Sequence, residues 1–422
     1  MRILFIHQNF PGQFKHLAPA LAEAGHDCTA LTLKVETATD WRGVRILPYK
    51  LPRRDAQKVH PWLIDLDTKV TRGEACWRAA RALAEEGYAP DLILAHHGWG
   101  ESMFLRDLWP RARMALYCEL YHQAGYPHLD FDPEFASKEP EIQPLRMRLK
   151  NLGNHLHFPL AEAGISPTNF QADTFPPEFR SKITVCHDGI DTAFSAPRPG
   201  VSITLKGHAP FTRDTEIITF INRNLEPYRG YHVFMRALPD LLRARPEARV
   251  IIIGGDEVSY GGAPPKGRTW KQIFREEVAD RMTAEDWRRV HFLGRIPHED
   301  FTRVLQLSRV HVYLTYPFVL SWSLMEAMSC GAAIVASDTA PVREVITHDE
   351  TGRLVDFFDR KALVREICDL ATDADARARL GAAARALMIE RYDLKTVCLP
   401  RQLAWVDEVM ALPPVAAARA DQ

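Results

Sequence analysis

Short apolar runs alternate with amphipathic stretches along most of the chain. In the first half the runs predict buried strands at Arg2–Ile6, Cys28–Leu33, Asp91–Ala95, Arg113–Cys118 and Ile183–Cys186. In the second half they predict strands at Ile217–Asn222, Arg249–Gly254, Val290–Leu293, Arg309–Leu314 and Ala333–Ser337. Runs of this length and composition are typical of strands that are covered on both faces.

Stretches with apolar residues three or four positions apart predict helices between these strands. In the first half they are Gln13–Ala24, Glu74–Glu86 and Glu101–Leu108. In the second half they are Gly230–Ala244, Glu299–Leu307, Leu324–Cys330 and Lys361–Ala371. Strands that alternate with helices favour the α/β class, with doubly wound parallel sheets that bind ligands at the carboxyl ends of their strands.

Proline and glycine divide the chain into two halves. The stretch 192–215 lacks a helical period and contains Pro197, Pro199, Gly200, Gly207 and Pro210, so we interpret it as a linker. It separates a first α/β domain, 1–191, from a second, 216–393. We expect the two domains to face each other across a cleft.

The remaining stretches are harder to assign. In 394–422, Leu394–Met410 is predicted to form a helix that returns to the first domain, followed by a frayed tail at Ala416–Gln422. The segment Pro127–Pro159 mixes prolines, aromatic residues and basic residues, and we interpret it as an insertion near the cleft.

Composition excludes several classes of protein. The 422 residues carry 53 Lys and Arg against 54 Asp and Glu, so the chain lacks the positive charge of a nucleic-acid-binding protein. Its seven cysteines form no CxxC pair, which indicates reduced thiols and no structural zinc. No apolar run reaches the roughly 18 residues of a membrane-spanning helix. We therefore expect a cytoplasmic protein.

Membrane-surface contact and oligomeric state stay open. Arg146, Arg148 and Lys150 are close enough in sequence to contact an anionic membrane surface, although a solvated helix face explains them more simply.

The most informative segment is Ser321–Gly331, which follows a predicted strand. Ser323 and Glu326 fit the S-x-x-E capping box of a helix start, and Gly331 fits a helix end. A helix that opens after a parallel strand offers free N–H groups to phosphate. The alternative is that Ser323 and Glu326 only cap one another.

Two arginines lie where the second half begins. Arg223 follows the strand end at Ile221–Asn222, and Arg229 precedes Gly230 and a predicted helix. Arginines at the carboxyl edge of a sheet are suited to bind a diphosphate. Taken alone, each arginine is more simply explained as a solvated loop residue, but their joint placement favours a function.

Candidate residues in the first half follow predicted strands. Gly12 would allow close backbone approach before a helix and is a candidate for binding the donor nucleotide, with an ordinary turn as the alternative. His97 would donate a hydrogen bond to sugar or phosphate, although a packed or surface histidine explains it equally well. Glu119 and Tyr121 follow the next predicted strand and are candidates for contact with an acceptor substrate. A purely structural role in packing is the simpler explanation for both residues. The sequence contains no Ser-His-Asp order and no HExxH zinc pattern.

Taken together, these stretches resemble family 4 of the retaining, nucleotide-sugar-dependent glycosyltransferases, which have the GT-B fold. The resemblance covers nearly the whole chain. In the first half it rests on Phe10–Phe14, Ala95–His97 and Val185–Asp191. It is most specific in the second half, at Ile221–Arg223, Tyr228–Gly230, Val250–Gly255, Val290–Pro297, Leu324–Gly331 and Ala333–Glu344.

The resemblance implies roles for individual residues. Arg223 and Arg229 would neutralise the leaving diphosphate, and Glu326 would hold the nucleotide ribose. His97 would contact the donor sugar. Backbone N–H groups of Ser321, Trp322 and Ser323 would meet phosphate or sugar, and the base would lie against Arg295 and Ile296.

One position departs from the family pattern. Phe318 stands where the family usually has a sugar-facing glutamate, which puts the donor sugar in doubt.

The resemblance implies a retaining transfer from a UDP- or GDP-sugar to a glycan, a lipid-linked acceptor or a small molecule, without cofactor or metal. Phe318 keeps open a catalytically silent nucleotide-sugar-binding or scaffold protein. A nucleotide-sugar epimerase is a third alternative, because it can share the architecture.

Overall fold

A computed structural model describes residues 1–52, 59–123 and 129–415. The chain forms two compact units. The first contains Met1–Leu129, Ala136–Asp188 and Lys395–Gln422, and the second contains Asp130–Phe135 and Gly189–Leu394. The predicted frayed tail, Ala416–Gln422, and the start of the predicted insertion at Pro127 lie outside the described residues.

The first unit is built on an eight-stranded sheet. Its strands are β1 (Arg2–Ile6), β2 (Asp27–Thr32), β3 (Thr39–Trp41), β4 (Val44–Pro48), β5 (Leu92–His96), β6 (Arg113–Tyr117), β7 (Ala163–Ser166) and β8 (Ile183–Val185). Their order is β3-β4-β2-β1-β5-β6-β7-β8, and every neighbouring pair is parallel except β3 with β4. The central strands β1 and β5 are buried except for Arg2, because helices cover the sheet.

Helices of the first unit come from both ends of the chain. They are α1 (Leu17–Glu23), α2 (Ile64–Glu85), α3 (Leu105–Leu108), α4 (Gln143–Lys150), α5 (Leu152–His157), α6 (Asn169–Ala172), α7 (Pro177–Arg180) and α16 (Leu399–Ala411). The last of these, α16, buries Trp405, Val406 and Val409 in the same core cluster as Leu17 and Leu21 of α1. The predicted C-terminal helix therefore exists and belongs to the first unit.

The second unit is built on a six-stranded, wholly parallel sheet. Its strands are β9 (Ile217–Asn224), β10 (Arg249–Gly255), β11 (Val290–Gly294), β12 (Val310–Tyr313), β13 (Ala333–Ser337) and β14 (Arg353–Val355). The strand order is β11-β10-β9-β12-β13-β14. Because β9 and β12 are central neighbours, the residues that follow them meet at the same edge of the sheet.

The helices of the second unit connect these strands. They are α8 (Tyr231–Ala244), α9 (Trp270–Glu277), α10 (Ala284–Arg288), α11 (His298–Leu307), α12 (Trp322–Ser329), α13 (Ala340–Arg343), α14 (Arg360–Thr372) and α15 (Ala374–Tyr392). Gly230 caps α8 with a φ of +69°, and a Cβ there would lie 2.3 Å from the Cβ of Leu314. Only glycine fits this turn, which fixes the backbone beside Arg229.

The predicted alternation of strands and helices is confirmed, but several elements differ from the prediction. The apolar runs do not predict the strands β3, β4, β7 and β14. The helix expected over Glu101–Leu108 is only the four-residue α3, whereas α2 begins ten residues before the predicted start at Glu74. The stretch 192–215, interpreted as a linker, packs on the second unit, where Phe211 is buried and pairs with Ile203.

The segment Asp130–Phe135 was expected to belong to the first half but packs within the second unit. The Asp132 carboxylate accepts hydrogen bonds from Nε2 of His232, at 2.8 Å, and from the hydroxyl of Tyr316, at 2.9 Å. Two phenylalanines of the segment insert into the aromatic core beside these groups. This segment is therefore part of the second unit, although the sequence places it in the first half.

All seven cysteines are free, as their spacing predicts. Of the helices that the structure describes, none combines the length and apolar character needed to cross a bilayer. Arg146, Arg148 and Lys150 lie in α4, where Arg146 is 3.7 Å from the carboxylate of Glu139.

Candidate active site

Arg229 lies in the short turn between β9 and α8 and is buried, with only 5% of its surface exposed. Its Nη1 donates to Thr315 Oγ1 at 2.7 Å, to the Val319 carbonyl at 3.0 Å and to the Tyr313 hydroxyl at 3.1 Å. A buried charge held by three acceptors is fixed in position before any ligand arrives.

The surroundings of Arg229 keep it charged. Burial alone would lower the pKa of its guanidinium, but Tyr313, Tyr260 and Glu226 raise it, and the net shift is upward. The guanidinium carbon also lies 5.1 Å from the ring centre of Tyr260 and 5.8 Å from that of Phe318. These ring faces add cation–π attraction.

The Tyr313 hydroxyl links Arg229 to the start of α12. It accepts a second hydrogen bond from the Ser321 backbone N–H at 3.1 Å, and Ser321 is the N-cap of α12. The fixed cation and the positive end of the helix dipole are therefore joined through one buried oxygen. Both stabilise negative charge, as a diphosphate requires.

The capping arrangement differs from the predicted S-x-x-E box. The N-cap is Ser321, whose Oγ accepts the N–H of Ser323 at 3.3 Å, and the helix begins at Trp322. The predicted pairing of Ser323 with Glu326 is wrong, because the extended backbone of Ser321 places its own hydroxyl at the helix start. Glu326 instead pairs with His298, 2.6 Å away.

Three other predicted residues lie near the carboxyl ends of β9 and β11. Arg223 is exposed and has no ion pair or hydrogen bond to a side chain within the described ranges. Nη2 of Arg295 donates to Asn224 Oδ1 at 2.9 Å and also contacts Glu257. Ile296 is partly buried against the core. The structure thus leaves Arg223 accessible to a ligand.

Aromatic side chains surround Phe318, at the position where the resemblance would place a glutamate. The ring of Phe318 lies 5.0 Å from that of Tyr260 and 5.2 Å from that of Tyr228. Tyr260 is itself held by Glu226, a fully buried carboxylate that accepts backbone N–H groups of Ser259, Tyr260 and Gly261 at 3.2–3.3 Å. Sequence reasoning missed Tyr260 and Glu226, because neither belongs to a recognised motif.

In the first unit, Gly12 adjoins the buried His7. A Cβ at Gly12 would lie 2.1 Å from Nε2 of His7, and the φ of Gly12 is +47°. Gly12 therefore allows close approach of the imidazole, whereas the sequence predicted approach of a ligand. Gln13 Oε1 holds the same nitrogen at 2.7 Å.

His97 is placed as a packing residue. Its Nδ1 contacts the Tyr117 carbonyl at 3.0 Å and its Nε2 contacts Asn154 Oδ1 at 2.6 Å, so both ring nitrogens are occupied. Burial, followed by the neighbouring His157 and His96, lowers the pKa of His97 to about 3. To contact a sugar, the imidazole of His97 would have to give up the Tyr117 carbonyl or Asn154 Oδ1.

The preceding residue, His96, is a better-placed candidate at this sheet edge. Its ring stacks on Trp99 with centres 3.8 Å apart, and neither of its nitrogens has a hydrogen-bond partner among the described residues. Nε2 lies 3.5 Å from an oxygen of Glu119. The structure therefore groups Glu119 with His96.

Tyr121 lies apart from that group. Its hydroxyl pairs with Nε2 of His155 at 3.0 Å, and its ring packs against Phe175 and Phe179. Burial raises the pKa of its phenol.

Asp132, Glu134 and His232 are grouped closely enough to offer ligands to a metal ion. Their groups already have protein partners, because Tyr316 and His232 donate to Asp132, and Arg236 binds both oxygens of Glu134. A metal would have to replace these contacts, so the cluster is better explained as structural.

Comparison with protein families decides the identity. The model described as "Glycosyl transferase family 4 group" matches residues 24–194, and the model described as "Glycosyl transferases group 1" matches residues 206–387. Together they account for most of both units. The chain belongs to the family 4, group 1 glycosyltransferases.

Curated relatives fit this family. A phosphatidyl-myo-inositol mannosyltransferase of Mycolicibacterium smegmatis is 30% identical over 216 residues, which are 50% of this chain and 48% of the relative. A D-inositol 3-phosphate glycosyltransferase of Streptomyces scabiei is 28% identical over 229 residues, which are 53% of this chain and 47% of the relative. The chain thus matches about half the length of these relatives.

Solved structures show that the fold is GT-B. A sucrose-phosphate synthase from Thermosynechococcus elongatus superposes with a TM-score of 0.74 at 17% identity, over 98% of this chain and 100% of that chain. Anabaena HepE, solved in complex with UDP and glucose, superposes with a TM-score of 0.65 at 17% identity. The match covers 97% of this chain and 99% of that chain. The family 4 assignment and the parallel sheets of the two units agree with this fold.

Proposed function

We propose that this family 4 member is a retaining glycosyltransferase that moves a sugar from a UDP- or GDP-sugar to an acceptor hydroxyl. The observation that carries the proposal is Arg229, a buried cation joined to the start of α12 through the Tyr313 hydroxyl. A buried cation beside the start of a helix, at the carboxyl edge of a parallel sheet, suits the diphosphate of a leaving nucleotide. Arg223, exposed at the end of β9, supplies a second cation.

The reaction needs no protein nucleophile. The bond between the anomeric carbon and the β-phosphate oxygen breaks while the acceptor oxygen bonds to the same face of that carbon. The acceptor proton passes to the departing phosphate oxygen. Arg229, Arg223 and the N–H groups at the start of α12 stabilise the negative charge that develops there, which is the largest contribution a preorganised site makes.

The remaining residues position the donor. Glu326 would hold the ribose, with Arg295 and Ile296 beside the base. Phe318 and Tyr260 offer an apolar face in place of the family's carboxylate, which favours a sugar that makes few polar contacts there. In the first unit, His96 replaces His97 as the candidate for the sugar contact. Glu119 remains a candidate for contact with the acceptor, and Tyr121 is less favoured because His155 holds its hydroxyl.

The proposal also covers the acceptor substrate and the cellular location of the enzyme. The relatives' names include inositol phosphate and phosphatidylinositol substrates. These compounds therefore belong in the acceptor panel beside glycans and small alcohols. We propose a cytoplasmic enzyme whose acceptor is lipid-linked, a glycan or a small molecule, and whose contact with a membrane is peripheral.

The test begins with thermal-shift screening against UDP, GDP, ADP and their sugars, because a ligand of the folded state raises the unfolding midpoint. Turnover of the selected donor is then followed by NMR, which reports the anomeric configuration of the product. The proposal expects transfer with retention. Donor conversion without acceptor would indicate an epimerase, and binding without turnover on any acceptor would indicate a silent scaffold.

A further inference from the structure

His298 and Glu326 form a close pair whose purpose the family resemblance does not explain. His298 is the first residue of α11, and Glu326 lies in the second turn of α12. Nε2 of His298 is 2.6 Å from Oε1 of Glu326. The pair joins two helices that start near the carboxyl edge of the second unit's sheet.

Two aromatic rings fix the imidazole. The ring of Phe194 stacks on His298 with centres 5.2 Å apart and planes 12° apart, and Phe301 stacks at 5.6 Å and 17°. A stacked imidazole has little freedom to rotate, so its Nε2 is directed at one carboxylate oxygen. The other oxygen of Glu326 has no hydrogen-bond partner among the residues described.

Neither helix capping nor a gain in stability accounts for the pairing of His298 with Glu326. Glu326 takes no part in capping α12, because Ser321 does so. The side chain of His298 is 54% exposed, and ion pairs at such positions add little to stability. Stacking an exposed imidazole so that it holds one carboxylate oxygen is better explained as a way to direct the other.

We propose that His298 is a positioning residue that holds Oε1 of Glu326 and thereby presents Oε2 to the ribose hydroxyls of the donor nucleotide. The inference rests on the proposed function and deepens it. The imidazole N–H donates to one oxygen, so the carboxylate keeps an oriented acceptor for a diol. A nucleotide that lacks the ribose hydroxyls should gain nothing from His298.

The experiment compares UDP with 2′,3′-dideoxy-UDP, or the guanine pair if the protein prefers GDP. Dissociation constants are measured by calorimetry for the full chain, His298→Ala and Glu326→Gln. Arg303→Ala is the matched control, because Arg303 is an exposed residue of the same helix and, among the residues that the structure describes, pairs only with Glu299 and Asp300. Unfolding midpoints of all variants check that each is folded.

We expect His298→Ala to weaken UDP binding about tenfold, the loss typical of one charge-assisted hydrogen bond, and to change dideoxy-UDP binding less than about twofold. In turnover, the donor KM should rise while kcat stays within about twofold. Combining His298→Ala with Glu326→Gln should add nothing to Glu326→Gln alone. Arg303→Ala should change none of these quantities.

Three results overturn the inference, and only one of them also removes the proposed function. Equal losses for both nucleotides would show that His298 is merely structural. An unchanged affinity in His298→Ala, with normal binding by the unmodified chain, would remove the positioning role and leave the glycosyltransferase proposal intact. Failure of the unmodified chain to bind any nucleoside diphosphate would overturn both.

Discussion

Replacing Tyr313 by phenylalanine probes the link between Arg229 and α12. The change removes one oxygen that is almost completely buried and accepts two hydrogen bonds, each 3.1 Å long. A hydrogen bond to a charged group contributes about 1.5–3 kcal/mol and a neutral one about 1 kcal/mol. The two hydrogen bonds together would contribute about 2.5–4 kcal/mol. Because Thr315 and Val319 still hold the Arg229 guanidinium, we expect a loss of unfolding free energy near the lower end of that sum, about 2.5–3 kcal/mol.

The assay is urea unfolding followed by tryptophan fluorescence. Tyr231→Phe is the matched control, because Tyr231 is equally buried but its hydroxyl contacts the Lys271 carbonyl only at 3.5 Å. A contact that long is weak, so the control should lose less than about 1 kcal/mol. Equal losses in the two variants, or no loss in Tyr313→Phe, would refute the claim that this hydroxyl joins Arg229 to α12.

Three further predictions concern separate parts of the chain. Glu226→Gln should reduce unfolding free energy by about 2 kcal/mol and speed proteolysis at 259–261, because the carboxylate holds three backbone N–H groups there. Gly230→Ala should cost about 3 kcal/mol or more, since its Cβ would overlap Leu314 in a left-handed turn, and thermal melts will show it. Burial lowers the pKa of His311 to about 3, and that of His97 to about 3 with help from His157 and His96. These histidines are neutral in the folded protein and take up protons on unfolding below pH 6.5. Each should therefore lower the free energy of unfolding by about 1.4 kcal/mol for every unit that the pH falls between pH 6 and 4. Urea unfolding measured at a series of pH values tests this.

The fold could be predicted where apolar residues carry the pattern. The strands β1, β9 and β10 are rich in isoleucine, leucine or valine, and the sequence predicts them. The buried strand β7, with the sequence AGIS, carries less of this signal and is not predicted. The helix α15 was missed although its buried residues are spaced three or four apart, because several of them are alanine or glycine, as in Ala376, Gly381 and Ala384. Small side chains carry little hydrophobic signal, so the period was not visible.

The candidate site could be predicted only in part. The motif around Arg229 indicated a cation for the diphosphate, but its burial depends on Tyr313, Thr315 and Val319, which lie more than 80 positions away. The S-x-x-E pattern was present, yet a different serine caps the helix. The burial of Arg229 and the choice of the capping serine depend on tertiary contacts, which a local sequence pattern does not reveal.

The central claim is that Arg229, Arg223 and the start of α12 bind and stabilise a leaving diphosphate. Arg223 tests it most directly, because it is exposed and its loss leaves the core intact. The measurement is kcat for sugar transfer in Arg223→Ala, with unfolding free energy measured in parallel and the exposed Arg243→Ala as control.

The account predicts that kcat falls about 100- to 1,000-fold in Arg223→Ala, as when one preorganised charge-stabilising donor is removed. The unfolding free energy should change by less than about 0.5 kcal/mol, and Arg243→Ala should behave like the unmodified chain. A kcat in Arg223→Ala equal to that of the control would contradict the account.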